Sequence, residues 1–123
     1  MIAYVFPGQG SQSVGMGAEL IRISPAAARI LEEASDVSGL NLAALDETAL
    51  AQTRYAQLAI VAHSLAAYAA LTDRLPALVS ASCPGAYAGF SLGEYSALCA
   101  AGRSAREPMA AASYCNSPVR SAP

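Results

Sequence analysis

The sequence predicts an α/β fold built on parallel strands, from three observations. Strand-like and helix-like segments alternate along the chain. The two strand candidates, Ile2 to Phe6 and about Gly85 to Gly89, are separated by mostly helical patterning, as a crossover between parallel strands requires. The second strand runs into a G-x-S-x-G sequence, Gly89-Phe90-Ser91-Leu92-Gly93, with a helical pattern directly after it. Only two strands are visible, and such a pair needs further strands to cover its edges. The sequence therefore reads as the opening section of a larger domain.

Each element has a local cause. Ile2 to Phe6 is rich in β-branched and aromatic residues and reads as a buried strand. Pro7 to Gly17 is a glycine-rich loop, and Ala18 to Ile23 a short helix. Ser24-Pro25 is a helix start, with serine as N-cap and proline at the first helical position. That helix runs to about Val37, with Ile30, Leu31 and Ala34 on one face and Arg29 four residues before Glu33. Gly39 stops it. Asn41 to Ala51 suggests one or two short helical turns. A long helix from about Arg54 to Arg74 is apolar on nearly every side, which predicts that it is enclosed. Pro76 to Pro84 is a connector, and the last helix ends at Ala101 with Gly102 as its stop.

Composition narrows the function. The 123 residues are 54% hydrophobic and 13% charged, with a mean hydropathy of +0.37. About a quarter charged is usual for a soluble domain, so much of this surface expects a cover and is open to self-association. A net charge of −2 without a basic cluster argues against nucleic acid or an anionic membrane as partner. The uncharged run Tyr55 to Thr72 contains Gln57, His63 and Ser64 and reads as a core helix rather than a membrane span. No secretory signal is visible, because Met1 to Phe6 lacks a basic flank and is broken by Pro7-Gly8. Three cysteines, Cys83, Cys99 and Cys115, without C-x-x-C spacing point to a cytoplasmic protein with neither disulfide framework nor metal site.

Ser91 is the leading chemical candidate. A serine on a sharp strand-to-helix bend has its Oγ exposed. Gly89 and Gly93 fit a bend where the two backbones nearly touch. The helix N-terminus behind Ser91 offers unpaired N–H groups and positive potential to a developing oxyanion.

Two motifs then sit together: Phe6-Pro7-Gly8-Gln9-Gly10-Ser11-Gln12, and Gly89 to Leu98. In this order and separation they resemble the malonyl-CoA:acyl carrier protein transacylases and the acyltransferase domains of polyketide synthases. The resemblance covers about residues 2–102 and includes Tyr55-Ala56-Gln57. It implies an S-malonyltransferase with a partial α/β-hydrolase-like core and a nucleophile elbow, lacking the family's ferredoxin-like subdomain. It also implies that Ser91 takes malonyl from malonyl-CoA as an ester and passes it to the thiol of an acyl carrier protein, with no bound cofactor. The backbone N–H groups of Gln9 and Leu92 would form the oxyanion hole.

The sequence also departs from that family. Phe90 stands where the family usually has histidine. The family's general-base histidine and carboxylate-pairing arginine lie further along than this chain extends. Residues 1–102 read as the N-terminal part of an acyltransferase domain. Residues 103–123, rich in proline, serine and arginine, read as a mostly disordered, non-family tail. A frameshift or truncation near residue 103 would produce that pattern.

Other candidates have plainer readings. His63, the only histidine, reads as a hydrogen-bonded core or interface residue. Glu94 suits the helix dipole, while Tyr95 and Cys99 read as packing. Arg103, Arg106 and Arg120 match no family motif. A small esterase is a rival, but no histidine follows Ser91. A second rival is an inactive remnant or binding fragment.

Overall fold

The computed structural model describes residues 2–77 and 84–102. Cys83, Cys115, Arg103, Arg106, Arg120, most of the connector and the whole 103–123 segment lie outside the described residues. The elements are β1 (Ile2–Phe6), α1 (Ala18–Ile23), α2 (Pro25–Ser38), a 3-10 turn (Leu42–Ala44), α3 (Glu47–Leu50), α4 (Thr53–Arg74), β2 (Pro84–Gly89) and α5 (Gly93–Gly102).

The helix signals work as their chemistry requires. Ser24 Oγ accepts a hydrogen bond from Ala27 N–H and caps α2, with Pro25 behind it. Gly39 terminates α2 in the left-handed region, at φ 70°, where a Cβ would be strained. Asp46 caps α3 through Ala49 N–H. The Arg29–Glu33 spacing does not yield an ion pair. Among the described residues the ion pair is Arg22–Glu19 on α1, between two exposed side chains that contribute little to stability.

β1 and β2 pair in parallel, with Tyr4 opposite Tyr87, Val5 opposite Ala88 and Phe6 opposite Gly89. Alternation along the strands divides the sheet into two faces. Tyr4 and Phe6 point into a core with Ala97 and Ala100 of α5 and with Tyr68 and Leu71 of α4. Tyr4 stacks on Tyr87 at 5.3 Å and meets Tyr68 edge-on at 5.2 Å. The Tyr68 and Tyr87 hydroxyls are 3.1 Å apart. Burial, followed by that hydrogen bond, raises the Tyr68 phenol above its ordinary range. On the opposite face Ala3, Ala86 and Ala88 are exposed, and Val5 is 74% exposed.

α4 joins this small sheet to a second core. Ala62, Leu65, Ala66 and Ala69 pack against Ala27, Ile30, Leu31 and Ala34 of α2. No residue between Leu58 and Thr72 is fully exposed, so the all-round apolar pattern does mark an enclosed helix. By length and composition alone α4 could cross a membrane, with a window hydropathy of 1.2, but half of that window is buried inside the protein. His63 lies in this layer half-buried. Contrary to the expected hydrogen-bonded histidine, its Nδ1 is buried without a partner among the described residues. It faces Gly17, where a Cβ would stand 3.6 Å away, and that neighbour has no side chain to bond. Burial pushes the His63 pKa below its ordinary value.

Candidate active site

Ser91 is the only non-glycine among the described residues with a positive φ, at 52°. Holding an L-residue there costs about 1–2 kcal/mol, and such strain persists only when the surroundings enforce it. The enforcement is visible on both sides. Phe90 N–H donates to Phe6 O at 3.2 Å, which ties the bend to the end of β1. Gly93 and Glu94 N–H groups donate to Phe90 O and Ser91 O at 2.9 and 3.0 Å, which starts α5 at once. A Cβ on Gly89 would overlap the backbone of Gly93 and Glu94. A Cβ on Gly93 would stand 2.8 Å from Pro7 O. The chain thus turns from β2 into α5 with two backbones in contact, and the Ser91 side chain is left exposed.

A pocket of about 280 Å³ opens beside Ser91. Leu92, Glu94, Tyr95 and Leu98 contribute one wall, and Gln9 and Gln57 the other. Three distant parts of the sequence therefore meet here: the glycine-rich loop after β1, the first turns of α4, and the start of α5. The loop approaches closely, since a Cβ on Gly8 would stand 2.6 Å from Phe90 O. Neither Gln9 N–H nor Leu92 N–H has a hydrogen-bond acceptor among the described residues. The Gln9 side chain is held instead, with Nε2 donating to Thr53 Oγ1 at 3.3 Å.

Of the sequence candidates, Gln9, Ser91 and Leu92 share one pocket, and Gly89 and Gly93 allow the close backbone contacts of the turn that carries Ser91. Glu94 and Tyr95 line it too, Tyr95 being more than packing. Phe90, 76% exposed, does not line it. His63 is elsewhere, between α4 and the start of α1. Cys99 is half-buried against the helical core, and burial raises its thiol pKa. Among the described residues the pocket lining includes one carboxylate, Glu94, and no histidine or arginine. Among the described residues no cluster of three His, Cys, Asp or Glu side chains could hold a metal.

Gln57 and Thr53 were not singled out from the sequence as site residues. Gln57 did carry a signal, since Tyr55-Ala56-Gln57 belongs to the resemblance. Thr53 carried none, because its role depends on a partner 44 residues away.

A family model described as an acyl transferase domain matches residues 3–117. The chain belongs to the acyl transferase domain family. The malonyl CoA-acyl carrier protein transacylase of Bacillus subtilis strain 168 is 43% identical to it over 105 residues, covering 82% of this chain and 31% of the relative. The polyketide biosynthesis protein ThaF of Burkholderia thailandensis is 42% identical over 106 residues, covering 83% of this chain and 8% of that protein. The MCAT crystal structure from Streptococcus pneumoniae superposes with a TM-score of 0.73 at 39% identity, covering 91% of this chain and 35% of that one. A malonyl-transacylase in complex with a type II PKS acyl-carrier protein superposes with a TM-score of 0.71 at 40% identity, covering 82% and 32%. This acyl transferase chain thus spans about a third of the length of the transacylases it matches.

Proposed function

We propose that the chain carries the acyl-accepting part of a malonyl-CoA:acyl carrier protein S-malonyltransferase, built as a nucleophile elbow on an α/β-hydrolase-like core. Ser91 Oγ attacks the thioester carbonyl carbon of malonyl-CoA and forms a C–O bond. The N–H groups of Gln9 and Leu92 receive the oxyanion of the tetrahedral intermediate. Collapse breaks the C–S bond, and coenzyme A leaves as the thiol with the proton that Ser91 gave up. The phosphopantetheine thiol of an acyl carrier protein then takes the malonyl group by the reverse sequence. We place this chemistry in the cytoplasm, in keeping with a free Cys99 thiol.

One observation carries this reading. An exposed serine held at φ 52° shares a pocket with two residues whose N–H groups have no acceptor among the described residues. The names of the transacylase relatives support the choice of malonyl and carrier protein.

A second reading, an inactive remnant that binds or self-associates, is favoured by a different observation. The pocket lining lacks a base histidine, and the one histidine faces Gly17 instead. Serine without a base is a weak nucleophile. Intact-mass measurement after incubation with malonyl-CoA separates the two. A malonyl adduct on Ser91 that disappears in Ser91→Ala supports transfer chemistry, and no adduct supports the remnant.

A further inference from the structure

We infer that Thr53 is a positioning residue for the oxyanion hole, acting through the Gln9 side chain. The inference rests on the reading of Ser91 as an acyl-accepting nucleophile. The glycine-rich loop is tied mainly to itself: Ser11 Oγ donates to Gly8 O and Gly10 N–H to Gln12 Oε1, both at 2.8 Å. Its one side-chain hydrogen bond to another part of the protein, among the described residues, is Gln9 Nε2 to Thr53 Oγ1 at 3.3 Å. Thr53 is the first residue of α4, and Gln57, one turn on, lines the Ser91 pocket. Between Leu58 and Thr72 no residue of α4 is fully exposed, so Thr53 stands at the end of a rigid post. Pinning the Gln9 side-chain amide there restricts the rotation of its peptide unit, whose N–H has no partner among the described residues. An oxyanion donor works only when held within about 0.5 Å of its place, and a loop bonded chiefly to itself does not supply that. Among the described residues the pocket lining holds no cation, and Arg54 beside Thr53 lies 5.7 Å over the Tyr55 ring. Among the described residues, charge stabilisation at Ser91 falls to the two backbone N–H groups.

The test uses the full chain and compares Thr53→Val, Thr53→Ser, Gln9→Leu and the Thr53→Val/Gln9→Leu double variant. Amide hydrogen exchange by NMR reads the loop, and mass spectrometry reads acylation of Ser91 by malonyl-CoA. Thr53→Val is expected to speed exchange at Gly10, whose N–H is bonded to Gln12 Oε1, roughly three- to tenfold, the loss of one hydrogen bond, with core amides of α4 unchanged. Thr53→Ser restores the slow rate, and Thr53→Val adds nothing to Gln9→Leu. Acylation by the Val variant slows by a similar factor at an unchanged half-saturating malonyl-CoA concentration. Unaltered loop exchange, additive effects in the double variant, or acylation at the parent rate each overturn the role of Thr53. If the parent chain forms no adduct, the transfer reading fails, and the exchange comparison alone decides on Thr53.

Discussion

Gly89 lies against the backbone of Gly93 so closely that a Cβ on Gly89 would overlap the Gly93 carbonyl. The contact between these two residues sets the sharpness of the turn that carries Ser91. Gly89→Ala must therefore push β2 and α5 apart, and Gly93→Ala must push α5 away from the end of β1 at Phe6 and Pro7. Each is expected to destabilise the chain by about 2–4 kcal/mol and lower the urea midpoint. A midpoint within experimental error of the parent's would show that the turn tolerates a side chain.

Ser91 should be a site where stability and chemistry oppose each other. At φ 52° glycine is free of the steric penalty that serine carries. Ser91→Gly is expected to raise unfolding stability by about 1 kcal/mol while removing any acyl adduct. Ser91→Ala keeps the strain and is expected to match the parent's stability. A destabilised glycine variant in denaturant titration would contradict the strain argument.

The hydroxyl pair of Tyr68 and Tyr87, 3.1 Å apart inside the aromatic cluster, should be worth about 1 kcal/mol. Tyr68→Phe and Tyr87→Phe are each expected to lose that amount. The double variant should lose little more than either single one, because the same bond is removed. Strict additivity would mean that the hydroxyls bond elsewhere.

His63 gives the chain a predictable acid sensitivity. Burial lowers its folded-state pKa below 6.5, so the unfolded chain binds the proton more readily. Its contribution is fully present above about pH 6.5 and is lost as pH falls toward the folded pKa. The melting temperature should fall between about pH 7.5 and pH 5, and His63→Leu should flatten that slope. An equal slope in both proteins would assign the effect to the carboxylates.

Val5, 74% exposed on the uncovered sheet face, is the place to probe self-association. Val5→Lys should change stability by no more than about 0.5 kcal/mol and shift sedimentation toward monomer. A parent chain that is already monomeric would remove the self-association proposal.

Local chemistry was legible without coordinates. The Ser24-Pro25 start, the Gly39 stop, the first strand and the enclosed character of α4 all follow from residue type and period, because they depend on near neighbours in the chain. The G-x-S-x-G run also announced Ser91, since a strand-to-helix bend with two glycines is itself a local statement. What the sequence alone could not determine was which distant groups meet at that bend. Three segments build the pocket: the loop at Gln9, the α4 turn at Gln57, and the α5 turn at Glu94 and Tyr95. Their meeting depends on β1 and β2 pairing in parallel and on α4 packing beneath them. Likewise Tyr95 changed from packing to pocket lining, and His63 lost its expected hydrogen bond, because tertiary packing chose their neighbours. Residue type states what a side chain can do, and only the packed chain states what it is close enough to do it with.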